Sequence, residues 1–393
     1  MPITIFWIAI FIVFYSYLGY PMIIFVLSRY FPYQTKRRGP VAAVEEPEVA
    51  IVVAAYNEAK WIRKKMDNLL SLDYPSDKVE IIWVIDGSFD QSRSLLDSYS
   101  QVTVLDAGRR EGKTAALNTA YAKAKSPILV FTDANCLLNA NALREIVRHF
   151  EDQTIGCVSG EKRIAFDITD DVASKGESLY WKYESKLKEW DYRYYSAVGA
   201  AGELFAVRKE LYTVQPIDTI LDDFMISMRI AQHGYRIAYT PLAYAVESGS
   251  LNMVEEQKRK VRIAAGGIQA VFRLKKLLNP FRYGKLTFLY CSHRVLRWTI
   301  APVALILLLV SNWIIVLGER SLNNMFSIIL FVQMLIYLCA LIGYLKSRMG
   351  NSVPRVFYVP YYFLFMNLNV FLSIPYLMTR TKTTGWEKSR RKD

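Results

Sequence analysis

The chain has 393 residues, 52% of them hydrophobic, and a formal net charge of +13. It is longer than one small domain needs, and its apolar share is high for a water-soluble protein. Four scattered cysteines with no CxxC pair point to neither a zinc site nor a disulfide framework. No nucleic-acid module accompanies the positive charge, so anionic lipid headgroups and phosphorylated ligands are its expected partners and nucleic acid is not.

Residues 3–28 carry no charged side chain, and neither do 300–318, 324–345 or 356–378. Each is long enough to cross ~30 Å of hydrocarbon. No basic residue precedes the first stretch, it is too long for a signal peptide, and no small-residue cleavage site follows it. Arg29, Lys36, Arg37 and Arg38 come directly after it. The positive-inside rule then puts the following domain in the cytoplasm and the N-terminus outside. The expected layout is a membrane anchor over 1–30, a water-facing domain over 47–253, basic amphipathic interfacial helices over 254–297, a C-terminal membrane region over 298–380 and a basic tail over 381–393. The expected location is the plasma membrane, crossed more than once.

Within the domain, 48–54, 79–85, 101–105 and 127–132 read as strands, and 58–71, 90–99, 113–124 and 140–150 as helices. This alternation predicts an α/β domain with a mostly parallel central sheet and helices on both faces. Helices are also expected over 174–192, rich in Trp and Tyr, and over 224–233. Ligands of such sheets bind beyond the carboxyl ends of the strands. Tyr56-Asn57-Glu58, Asp86-Gly87-Ser88 and Asp133-Ala134-Asn135 each follow a strand. In the last segment, 356–378, Pro360, Asn367, Asn369 and Pro375 interrupt the apolar pattern. A spanning helix there would leave the basic tail outside, against the charge rule. An interfacial or re-entrant segment is the expectation.

Asp133 and Asn135 stand at positions i and i+2 of a strand exit and can turn two oxygens toward one hard cation, with phosphate oxygens completing its shell. The same residues also suit an ordinary turn. Asp86 can accept hydrogen bonds from a nucleobase imide or a ribose hydroxyl, or can serve a type I turn through an Asx bond. Gly112-Lys113-Thr114 opens a helix, where backbone donors, the helix dipole and the Lys favour a phosphate. The P-loop spacing is absent and no GxGxxG is present. Asp222-Asp223 serves either as a helix cap or as an acid–base pair in which each carboxylate raises the other's pKa. Gly199-Ala200-Ala201-Gly202 lets a ligand approach the backbone, and Arg259, Lys260 and Arg262 suit a diphosphate leaving group.

In order, the chain shows Ala54-Ala55-Tyr56-Asn57-Glu58, Asp86-Gly87-Ser88-Phe89-Asp90, Gly112-Lys113-Thr114-Ala115-Ala116-Leu117-Asn118, Thr132-Asp133-Ala134-Asn135, Gly199 to Gly202, Asp222-Asp223 and a downstream basic stretch. Over about residues 48–270 this resembles the inverting family 2 glycosyltransferases, in the membrane-bound branch related to cellulose, chitin and hyaluronan synthases. The resemblance implies an A-type nucleotide-diphospho-sugar transferase fold, a nucleotide-sugar donor that is UDP-linked, and Mg²⁺ or Mn²⁺ at Asp133 and Asn135. It implies donor contacts from Ala55, Tyr56, Glu58, Asp86, Lys113, Asp133, Arg259 and Arg262. It implies a base at Asp223 beside Asp222, and an acceptor bordered by Gly199 and Gly202. Two departures stand out. Asn135 is a neutral ligand where the metal motif has a carboxylate. The QxxRW stretch of processive synthases corresponds to Arg259-Lys260-Val261-Arg262-Ile263, which keeps an Arg at Arg262 and, in that register, has neither Gln nor Trp. The expected acceptor is a lipid-linked or nascent surface glycan. The alternatives are a processive polysaccharide synthase and a catalytically silent membrane scaffold or nucleotide-sugar sensor.

Overall fold

A computed structural model describes residues 1–33, 46–165, 172–318, 324–380 and residue 391. Lys36, Arg37, Arg38 and the tail residues other than Arg391 lie outside the described residues.

Among the described residues, eight strands form one sheet. They are β1 (Val49–Ala55), β2 (Val79–Ile85), β3 (Val102–Asp106), β4 (Ile128–Thr132), β5 (Leu137–Leu138), β6 (Ile155–Ile164), β7 (Leu204–Arg208) and β8 (Arg236–Glu247), in the order β3-β2-β1-β4-β7-β6-β8-β5. The first four strands of that order are parallel, as the alternating pattern predicts. β7 then runs antiparallel to β4, with Thr132 opposite Leu204, and β6 and β8 pair in parallel with each other. The sheet is therefore mixed. Because β7 is reversed, its N-terminal end meets the C-terminal ends of β1, β2 and β4. Gly202 and Glu203 enter at that edge, and Lys162 and Glu247 reach it at the ends of β6 and β8. One edge thus collects residues from both halves.

β1 is buried along its whole length and feeds two cores by simple alternation. Ala50, Val52 and Ala54 face one cluster, and Val49, Ile51, Val53 and Ala55 face the other. Helix α2 (Ala59–Leu70) covers the second face with Ile62, Met66 and Leu69. Helices α3 (Lys113–Lys123), α4 (Val172–Tyr194) and α5 (Asp222–Gln232) cover the first. The acidic pair Asp222-Asp223 lies inside the first turn of α5, not ahead of it, where the helix dipole favours negative charge.

Helix α6 (Met253–Arg273) is capped by the Asn252 side chain, which accepts from the backbone N–H groups of Val254 and Glu255. Of the basic residues expected on an interfacial face here, Arg259 and Lys260 are buried at 5% exposure, whereas Lys258 is exposed. The rest of the expected interfacial region, to residue 297, is a chain of short helical pieces joined by a π turn at Cys291–Val295. Leu289, Tyr290 and His293 are fully buried there, so it packs into the domain.

Among the described residues, four helices are long and apolar enough to cross a membrane: α1 (Pro2–Tyr30), α7 (Ile300–Gly318), α8 (Met325–Arg348) and α9 (Arg355–Arg380, apolar to Thr379). The first half of α1 packs on α7 through Phe6, Ala9, Ala304 and Leu308. Its second half turns to the domain, where Tyr20 donates to Asp191 and Phe25 meets the Trp190 ring at 5.3 Å. α9 passes through Pro360 and Pro375 as one continuous helix. It lies along the domain: Tyr362 donates to Glu256 at 2.6 Å, and Tyr17 of α1 donates to Asn367 at 2.5 Å.

Candidate active site

The loops at the sheet edge are tied together by side chains that favour turns. Asn57 takes a left-handed conformation (φ 53°). Its backbone N–H donates to Ser88 Oγ, and its side-chain oxygen accepts from the Phe89 N–H. Asp90 accepts from the N–H groups of Ala59 and Ser92. Asp86 is buried, and its carboxylate accepts from the N–H groups of Glu111 (2.6 Å) and Gly112 (2.9 Å). The loop before α3 is thus pinned to the end of β2. Gly87 is required there, because a Cβ would lie 2.5 Å from the Arg110 backbone nitrogen and φ is +64°. Arg110 in turn stacks on the Tyr56 ring at 3.9 Å. Of the expected nucleoside contacts, Asp86 therefore already holds backbone amides, and Ala55 and Tyr56 lie beside the main cleft, not on its lining.

That cleft, of about 210 Å³, is lined at the sheet edge by Glu58, Lys113, Asp133, Asn135, Asp222 and Asp223. Lys113 Nζ donates to Asp133 at 2.6 Å and lies 3.9 Å from Asp222. Burial alone would lower its pKa, but Asp133, Asp222 and Asp223 outweigh that and raise it. One permanent cation therefore holds three carboxylates together. Burial first, and then Asp222, push the Asp223 carboxyl up to about 7 against the pull of Lys113. Asp222 keeps one buried oxygen without a hydrogen-bond partner. Gly202 closes this group: a Cβ there would stand 3.1 Å from Asp223 Oδ2 and 3.6 Å from Lys113 Nζ. Gly199 does not share that role. It sits under the cleft with φ +83°, and a Cβ would lie 2.2 Å from the Phe224 ring. Ala200, Ala201 and Gly202 make the lining instead.

Arg259 and Arg262 both reach the cleft. Arg259 is already engaged, donating to Glu177 at 2.6 Å within a buried charge network that the sequence reading missed. Lys162 donates to Glu203 (2.5 Å) and to Glu247, and Arg391 pairs with Glu247 at 2.8 Å. Asn135 joins it by donating to Glu247 at 2.9 Å. Lys162 and Arg259 together outweigh burial and hold Glu203 at about 2. The signal available in sequence was Lys162 itself, a charge inside a β-rich run. Lys65 was missed too. It lies on the apolar face of α2, fully buried, and donates to Thr132 Oγ1 (2.9 Å) and the Cys136 carbonyl (2.6 Å), bracing the turn that carries Asp133. In the basic stretch, a register starting at Gln257 places Lys260 where the QxxRW motif has Arg and Val261 where it has Trp.

Among the described residues, no group of three or more His, Cys, Asp or Glu is placed to hold a metal. Asp133 offers one carboxylate and Asn135 one amide oxygen. That set suits an ion sharing its shell with ligand phosphates, and does not suit an all-protein cage.

Residues 50–214 match the glycosyl transferase family 2 profile. They form a glycosyl transferase family 2 domain. The chain is 30% identical over 244 residues to the beta-monoglucosyldiacylglycerol synthase of Synechocystis, covering 59% of this chain and 50% of that protein. It is 25% identical over 259 residues to the poly-beta-1,6-N-acetyl-D-glucosamine synthase of Staphylococcus aureus, covering 64% and 62%. The match thus spans half to three-fifths of those relatives. A mannosyltransferase from Pyrobaculum calidifontis, solved with GDP-Man and Mn²⁺, superposes with a TM-score of 0.72 at 21% identity over 96% of this chain and all of that one. The family 2 domain has the A-type transferase fold, with the apolar helices attached.

Proposed function

We propose that the protein is a membrane-anchored inverting glycosyltransferase that moves a sugar from a nucleotide sugar to an acceptor hydroxyl, with UDP-linked sugars the first donors to test. The observation that carries this reading is the convergence of Asp133, Asp222 and Asp223 on Lys113 at the mouth of one cleft, within a family 2 domain. Asp223, with a carboxyl at about 7, is suited to exchange a proton near neutrality. In the proposed step the acceptor oxygen attacks the anomeric carbon, its proton passes to Asp223, and the bond from that carbon to the diphosphate oxygen breaks. Gly202 leaves the space beside Asp223 in which the hydroxyl stands. Lys113 and Arg262 lie close enough to the cleft to stabilise the departing diphosphate. Asp133 and Asn135 would hold Mg²⁺ or Mn²⁺, which would neutralise charge on that diphosphate.

Purified protein in detergent, screened against nucleotide sugars for nucleoside diphosphate release, tests the reading. Asp223→Asn should lower transfer by about 10²–10⁴-fold while donor binding persists. Unchanged turnover in that variant sinks the assigned role. The name of the Staphylococcus relative makes a processive synthase the second reading, and product length on a defined acceptor separates the two.

A further inference from the structure

Besides its acidic edge, the cleft has a wall built from α4, α6, the segment 285–298 and α9. Lys188 of α4 lies on this wall and is only 3% exposed. The other buried lysines have acceptors: Lys65 has Thr132 and Cys136, Lys162 has Glu203 and Glu247, and Lys260 has Glu256. Lys188 makes no hydrogen bond or ion pair with any described residue. Two more donors on the wall lack acceptors, since Arg294 Nε and Trp181 Nε1 are both buried without a hydrogen-bond partner. Buried donors are nearly always satisfied. Two of them on one wall, beside a nearly buried Lys188 that has no acceptor, mark a place for an anion.

Burial first, and then the nearby Arg294 charge, lower the Lys188 pKa to about 8 against the pull of Glu184, Asp223 and Glu203. Glu184 does not serve as the missing anion, because it already accepts from Arg294 Nη1 (2.8 Å) and Arg297 (2.6 Å). A carboxylate offers two oxygens, whereas a phosphate offers one to each of three separate donors. The same elements also carry apolar side chains on the cleft lining, Ile263, Trp298 and Leu377.

We infer that this wall holds the phosphate of an amphiphilic acceptor, through Lys188 Nζ, Arg294 Nε and Trp181 Nε1, with the acceptor's apolar part on Ile263, Trp298 and Leu377. This rests on the transferase reading for the word acceptor, while the binding itself can be measured without turnover.

The test titrates full-length protein in neutral detergent with hexyl phosphate, hexyl glucoside and inorganic phosphate, following tryptophan fluorescence. Hexyl phosphate should bind at least tenfold more tightly than either of the others. Lys188→Met should abolish that preference and Lys188→Arg should keep it. Lys186→Met, at an exposed position two residues away, should also keep it. Equal binding of hexyl glucoside overturns the phosphate site, and equal binding of inorganic phosphate overturns the amphiphile. A Lys188→Met protein that retains the preference overturns the assignment to Lys188. Failure of the Asp223→Asn transfer test would leave these three outcomes intact, so the two ideas fail separately.

Discussion

Burial and Asp222 set the Asp223 carboxyl at about 7, and this has opposite consequences for rate and for stability. As a base it must be ionised, so turnover should rise with pH and level off above about 7. For folding, the unfolded carboxyl titrates near 3.9. Below that pH both states are protonated and the site costs nothing. Between there and 7 the unfolded chain ionises first, so stability falls as pH rises through the folded value. Asp223→Asn should therefore melt higher than wild type at pH 8 and level with it near pH 4, measured by thermal unfolding in detergent. A variant equal to wild type at pH 8 would show that no such strain is present. The two glycines beside this residue separate cleft from core. Gly202→Ala places a methyl 3.1 Å from Asp223 Oδ2 and should lower turnover with little loss of melting temperature. Gly199→Ala puts Cβ into the Phe224 ring at a positive φ and should lower the melting temperature itself.

At the scale of elements, α4 carries a buried charged stripe. Glu177, Glu184, Lys188 and Asp191 fall on one face at helical spacing, and all are buried. Glu184 answers Arg294 and Arg297, and Asp191 answers His293 at 2.5 Å and Tyr20 of α1. The stripe ties the first apolar helix and the segment 285–298 to the domain. Glu184→Ala leaves two guanidinium groups, each only 12% exposed, without their carboxylate, and should destabilise the protein by about 3–5 kcal/mol. The readout is the denaturation midpoint in detergent, and a loss under about 1 kcal/mol would mean that water replaces the carboxylate. The sequence showed this helix only as rich in Trp and Tyr, because each charge taken singly reads as surface. The same cause hid half the sheet. β1 to β4 are runs of Val, Ile and Ala bounded by turns, and they were legible. β6 carries Lys162 and two glycines, and those glycines admit the side chains of Ile230 and Leu204 from elsewhere in the chain. β8 contains Pro241, which reads as a strand breaker. Such strands are set by partners distant in sequence, which local pattern does not encode. The site divides along the same line: Asp133, Lys113 and Asp223 stand in compact motifs, whereas Lys162, Glu247 and Lys188 are joined only by folding.

For the whole molecule, the open question in the sequence was the side on which the chain ends. A 26-residue helix leaving the domain straight across a bilayer would carry its far end ~39 Å away. α9 does otherwise. Its N-terminal part packs against α8 at Gly343, where a Cβ would stand 2.5 Å from the Phe357 carbonyl oxygen. Tyr362 then bonds Glu256 of α6, and Leu377, near the far end, lines the cleft. Arg391 follows with ion pairs to Glu247 and Glu177 and a bond to the Ser248 carbonyl. A helix that touches the domain at Tyr362 and lines its cleft at Leu377 suits a position on the membrane surface. In that arrangement three crossings, by α1, α7 and α8, would return the chain to the domain's side, in keeping with the charge rule applied to Arg29. We predict that a C-terminal epitope and the catalytic domain share one face of the membrane. In inside-out vesicles, protease should remove the epitope and cut the domain together, and in right-side-out vesicles both should be protected. An epitope cut only in right-side-out vesicles would mean that α9 crosses the bilayer and that the Arg391 pairing does not form.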